Sequence, residues 1–237
     1  MLTHKPWNPE SLLWLGCTFM LALSPGAVVA GLFADGSVAQ MAANITVLPV
    51  AILVSIIVWF QVNHRVYRSP IWLADTFGFN RKNTGRCLML GLVTGLGLVL
   101  ISMVLALLTS QLIHALGDQA EPQKLVTLIA EEYSKKENIR TLIFFVVMAV
   151  VVAPIAEEIL FRGILYPAIK QIGYPRLAAI GTALLFALFH VNLLTFASLT
   201  VVALGLIALY EFTDNLLAPI TAHAVFNASN LIMLFWR

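Results

Sequence analysis

The sequence predicts an all-α fold, a polytopic membrane helix bundle of about seven transmembrane helices. Three observations carry that reading. Of the 237 residues, 60% are hydrophobic and 11% are charged, against about 25% charged in an average soluble domain. Mean hydropathy is +0.90, and a soluble monomer with so few charges has too little polar surface to cover its apolar atoms. The apolar residues also fall in long continuous runs. A membrane barrel would instead alternate polar and apolar residues in segments of about ten.

The first apolar run covers 11–33. Its small residues at 27–30 would suit a signal-peptide cleavage site. Glu10 ahead of the run, Pro25 within it and its length fit a retained membrane helix better. The second run covers 45–62 and the third 86–115. A polyampholytic loop follows, with Lys124, Lys135 and Lys136 among Glu121, Glu131, Glu132 and Glu137. In it, Leu125, Leu128, Ile129 and Tyr133 recur near helical spacing. An interfacial amphipathic helix and a solvated extension of the fourth helix both fit that pattern. The fourth run is 141–169. The fifth and sixth, 176–190 and 193–210, are short and nearly contiguous, and the seventh is 216–236. A spanning helix takes about 20 residues, so seven of them leave room for loops and none for a second folded domain. Residues 1–115 hold membrane helices without a motif, and 141–237 hold the polar residues discussed next.

Several function classes drop out. Cys17 and Cys87 are too few for a disulfide framework and read as two buried free thiols. The net charge is +2, with no basic cluster interleaved with aromatics, so nucleic acid is not an expected partner. The expected partners are the lipid bilayer and a peptide or protein substrate. With the N-terminus cytoplasmic, nine of the fourteen Lys and Arg residues lie inside, which favours that orientation.

The twelve acids can be placed one by one. Ten fall in loops or at helix ends, counting Glu211 and Asp214 in the connection between the sixth and seventh helices. Only Glu157 and Glu158 lie inside an apolar run. An acid at the bilayer centre costs about 2.5–3.5 kcal/mol on insertion scales, so intramembrane acids point to function. Residues four apart share a helix face, which pairs Glu158 with Arg162. Glu157 is rotated by about 100° from Glu158 and projects between Ala153 and Phe161, free to do chemistry. The alternative is a buried ion pair that only fixes helix packing. Pro154, one turn earlier, frees the carbonyl of Val150 and kinks the helix beside the acids.

Among the histidines, His4, His64 and His114 read as solvated or interfacial. His190 and His223 lie in apolar surroundings. Glu157 stands 16 residues before Gly173, the centre of a Gly-Tyr-Pro turn, and His190 stands 17 after it. An antiparallel hairpin there brings the two side chains to one depth, which is what water activation by a base and a histidine needs. His223 and Asn227 are four apart and share a face of the seventh helix. They can donate to a developing oxyanion or hydrogen-bond between helices.

Glu157, Glu158 and Arg162 fit EExxxR; Phe186 and His190 fit FxxxH; His223 and Asn227 fit HxxxN. In this order, on successive membrane helices, the motifs resemble the CAAX-protease and bacteriocin-processing (Abi) family, which includes the type II CAAX prenyl endopeptidases. The stretch from Leu209 to Asn215, then Ala218, Pro219 and Ile220, is similar to the family's lead-in to its last motif. The resemblance covers about 141–236.

The resemblance implies an α-helical intramembrane endopeptidase with a conical cavity opening toward the cytoplasmic leaflet. By position, Glu157 would be the general base that activates water, assisted by His190. His223 and Asn227 would form the oxyanion site, and Glu158 and Arg162 would support the geometry. The family is often labelled metalloprotease. Glu157, His190 and His223 supply a His₂Glu set for zinc, but there is no HExxH motif, and a metal-free glutamate–histidine mechanism is equally open. The compact length fits a stand-alone enzyme of a bacterial plasma membrane. The alternative function is a non-catalytic membrane scaffold, transport or regulatory protein that uses the same polar residues for helix packing.

Overall fold

The structure, a computed structural model, describes residues 2, 4, 5, 10–34, 37–68, 76–79, 83–119, 127, 129, 130, 133 and 139–236. Among these the chain forms seven long helices and no strand. They are α1 (Ser11–Gly31), α2 (Val38–Arg65), α3 (Thr84–Ala115), α4 (Ile139–Gln171), α5 (Pro175–Phe189), α6 (Leu193–Thr213) and α7 (Leu217–Phe235). The expected all-α bundle is therefore present.

Among the described residues, α2, α3, α4, α6 and α7 are long and apolar enough to cross a membrane, and α1, an apolar helix of 21 residues, has the length of a span as well. The expectation of about seven membrane helices stands, with α5 shorter than expected. α5 has 15 residues, so at 1.5 Å per residue it rises about 22 Å, short of the roughly 30 Å hydrocarbon core. It ends at the site itself. Val191 turns the chain with φ of 46°, and the Asn192 side chain accepts the Thr195 N–H to start α6.

Glu211 is a second correction. The sequence places it in the α6–α7 connection, whereas it lies within α6. The apolar run stops at Tyr210, but the helix continues until Asp214 adopts a left-handed conformation (φ 46°) and its N–H donates to the Tyr210 carbonyl. Hydropathy marked the end of the apolar run, and the cap marked the end of the helix. The thiols are a third. Cys87 is buried as expected, but Cys17 is exposed on the outer surface of α1. The amphipathic segment expected at 125–133 lies largely outside the described residues; of it, Ile129 is buried and Tyr133 stacks on Phe235 at 4.4 Å.

The packing order puts α4 in the middle. α1 lies along α2, α5 packs on α6 and on the end of α4, and α3 packs on both α6 and α7. The central part of α4 contacts α2 on one side and α7 on the other. Small residues bring the helices close. A Cβ on Gly91 would stand 2.6 Å from the Ala218 carbonyl oxygen, and one on Gly95 would stand 2.7 Å from that of Ala222. Backbone-to-backbone approach of this kind is how membrane helices gain packing where lipid offers no hydrophobic drive.

Candidate functional site

α4 is not a uniform α-helix. Two π-wound segments, Met148–Val152 and Ile159–Leu165, flank the α-helical turn Ala153–Glu158 that carries both acids. The winding has a local cause. Pro154 has no N–H to give, and the Ala153 N–H donates five residues back, to the Met148 carbonyl. The Ala149 carbonyl thus loses its α-helical donor, and its π-helical donor would be the proline. The Asn227 carboxamide of α7 fills that place, donating to Ala149 O at 2.8 Å. The sequence expected the Val150 carbonyl to be freed; the structure instead shows a π-wound segment, a feature frequent at functional sites, and the carbonyl without a helical donor is that of Ala149.

The two acids part as their helical angle requires. Glu158 is fully buried, and Arg162 is 1% exposed. One carboxylate oxygen, Oε1, accepts from Arg162 Nη1 at 2.8 Å and from His223 Nδ1 at 2.8 Å. Arg162 Nη2 also donates to the Ala203 carbonyl at 3.3 Å, tying α4 to α6. Glu157 instead lines a cavity of about 380 Å³ together with His190, Ala153 and Phe161 of the sequence reading. His190 and Glu157 thus line the same cavity.

The imidazoles are oriented by their Nδ1 partners. A carbonyl only accepts, so His190 donates from Nδ1 to Phe186 O at 2.9 Å, which leaves Nε2 outside that bond. A carboxylate likewise accepts from His223 Nδ1, and His223 Nε2 stands 3.8 Å from Glu157 Oε2. Phe186 sits between these groups. Its ring centroid lies 4.8 Å from that of His190 and 5.7 Å from that of His223. The Arg162 guanidinium carbon is 4.6 Å from it. Sequence reasoning used Phe186 only as a motif letter. Its place as the packing centre of the polar groups was missed, and its spacing of four before His190 was the available signal.

The six expected residues are thus brought into one neighbourhood: Glu157 and His190 on the cavity, Glu158, Arg162 and His223 in a buried chain behind it, and Asn227 against the bulge. Among the described residues, no group of three His, Cys, Asp or Glu side chains is placed to hold a metal ion.

Residues 139–229 match the sequence model of the family described as type II CAAX prenyl endopeptidase Rce1-like. The match spans all three motifs, from α4 into α7, and leaves α1 to α3 outside it. The resemblance drawn from the motifs is supported there. No curated protein and no solved structure matches the chain.

Proposed function

We propose that the chain is an intramembrane endopeptidase that hydrolyses peptide bonds of membrane-associated or lipidated proteins, with water activated by Glu157 and His190. The observation that carries this is the division of the acid pair. Glu158 is consumed by Arg162 and His223, while Glu157 faces a largely apolar cavity beside an imidazole.

Glu157 takes a proton from a water that His190 Nε2 orients. The water oxygen attacks the scissile carbonyl, and the carbonyl oxygen gains the negative charge. His223 can donate to that oxyanion from Nε2 only when doubly protonated, because Nδ1 already serves Glu158. The four ionised groups then balance, with Arg162 and His223 against Glu157 and Glu158. Asn227 holds a second N–H beyond the one given to Ala149 and can add it. Glu157 returns its proton to the departing amine as the C–N bond breaks. In a low-dielectric site, such pre-aimed donors count for more than in water.

Removing the base costs about 10²–10⁴-fold in rate. Glu157→Gln is therefore expected to abolish measurable cleavage by the purified protein while leaving its unfolding temperature close to that of wild type. Cleavage that survives both Glu157→Gln and His190→Ala overturns the reading. The scaffold reading draws on the same bonds, since Glu158–His223 and Asn227–Ala149 join α4 to α7. It requires the opposite result, function kept and stability lost in Glu157→Gln. Metal content separates the two chemical routes: full activity at well under one metal per chain after chelation supports the glutamate–histidine route, and activity that tracks zinc overturns it.

The proposed setting is a bacterial plasma membrane with the N-terminus cytoplasmic. In a Cys17→Ser/Cys87→Ser background, a cysteine at position 118 is expected to react with an impermeant thiol reagent on intact cells, and one at position 10 only after lysis. The reverse pattern inverts the topology.

A further inference from the structure

One wall of the cavity belongs to α2 and takes no part in the chemistry above. A stripe of Asn44, Ile45, Leu48, Pro49 and Ile52 lines it, and α2 packs against the α4 turn that carries Glu157. Asn44 lies within Ala39–Arg65, a segment apolar enough to cross a membrane. Its side chain is exposed and finds no hydrogen-bond partner among the described residues. The other asparagines inside the described spans are each committed: Asn63 donates to Trp59 O, Asn227 to Ala149 O and Asn230 to Phe226 O. Beside Asn44, the Ile45 carbonyl lacks its helical donor, because the residue four positions on is Pro49. An apolar wall thus carries a carboxamide without a partner among the described residues and a backbone carbonyl whose α-helical donor is replaced by a proline, in a medium where unpaired polar groups are costly.

A peptide bond can be cut only where the chain is extended and its own N–H and C=O groups are released from helical bonding. In a dry cavity those groups need partners. A carboxamide offers a donor and an acceptor, the complement of a peptide group, and needs no particular substrate side chain. We propose that Asn44 and the Ile45 carbonyl bind the main chain of an extended substrate segment and hold it across the cavity from Glu157. This rests on the peptidase reading, and Asn44 acts in it as a substrate-binding residue.

The test separates binding from cleavage. A pool of short N-acylated peptides with randomised apolar residues is captured on purified Glu157→Gln protein in detergent and identified by mass spectrometry. The affinity of the best binder is then measured on Glu157→Gln and on Glu157→Gln/Asn44→Leu, with the peptide N-methylated at each position in turn. Loss of Asn44 is expected to weaken binding about tenfold, the scale of one hydrogen bond. One N-methylated position is expected to lose as much on Glu157→Gln and almost nothing on the double variant. Thermal unfolding checks that the double variant is folded, and Asn44→Ser serves as the second variant. Affinity unchanged by either Asn44 substitution, N-methyl losses equal on both proteins, or no captured peptide at all overturns the proposal. Wild-type cleavage of the captured peptides is a separate arm. Cleaved peptides that bind without Asn44 remove this subsite and leave the peptidase reading. Peptides held through Asn44 but never cleaved do the reverse.

Discussion

Glu158 Oε1 receives two charge-capable donors, Arg162 and His223, each at 2.8 Å, at a point with no solvent exposure. Removing one partner of a buried ion pair leaves the other uncompensated and costs about 3–5 kcal/mol. Arg162→Met is therefore expected to lower unfolding free energy in detergent by about that amount, and a loss under about 1 kcal/mol would show that the pair does not hold the bundle. Asn227→Leu acts differently. It strands the Ala149 carbonyl, an effect of about 1–3 kcal/mol, and also removes a donor from the proposed oxyanion site. Stability and cleavage are expected to fall together in Asn227→Leu, whereas Glu157→Gln loses cleavage alone. Comparing unfolding midpoints and turnover across the three variants checks this separation.

At the scale of elements, two devices place these side chains. The π-bulge of α4 aims the turn with both acids, and the glycine contacts of α3 set where α7 stands. Gly91 and Gly97 share α3 but not surroundings. A Cβ at Gly91 would meet the α7 backbone at 2.6 Å, while at Gly97 nothing lies within 4 Å. Overpacking of this kind costs about 1–3 kcal/mol. Replacing an unhindered helical glycine by alanine stabilises by about 0.4–1 kcal/mol. Gly91→Ala is thus expected to lower the melting temperature and to reduce turnover by moving His223 with α7, and Gly97→Ala to leave turnover intact and the melting temperature unchanged or raised. Equal effects at the two positions would separate the α3–α7 contact from the site.

Across the whole molecule, the N-terminus is fastened to the helix ends nearest the connection into α7. Lys5, 1% exposed, pairs with Asp214 at 3.0 Å. Glu211 accepts from Tyr166 at 2.8 Å, from Lys170, and from the Leu2 N–H at 3.4 Å. These contacts join a segment with no motif to the motif-bearing helices. Asp214→Asn keeps a residue type that tolerates the left-handed cap but removes the charge facing Lys5. It is expected to expose the first ten residues to limited proteolysis faster than in wild type, with α4 to α7 resisting as before. An unchanged digestion pattern would show that the segment is held without this pair.

What the sequence determined by itself is what depends on composition and on short-range spacing. Continuous apolar runs required an all-helical membrane bundle. The 3.6-residue period separated Glu157 from Glu158 and paired the latter with Arg162. The near-equal counts on either side of Gly173 predicted that His190 and Glu157 share a site, and both line one cavity. Other features depended on partners far along the chain, and only the tertiary structure decided them. No local signal says that Asn227 caps a carbonyl orphaned by Pro154, that Phe186 sits between two imidazoles and a guanidinium, or that α2 closes the cavity with Asn44. Hydropathy also set the helix boundaries too early at Glu211, because water solvates a helix end as readily as a loop. Periodicity fixes which face a residue occupies, while its neighbour across that face is chosen by packing between helices, where the sequence carries no spacing to count.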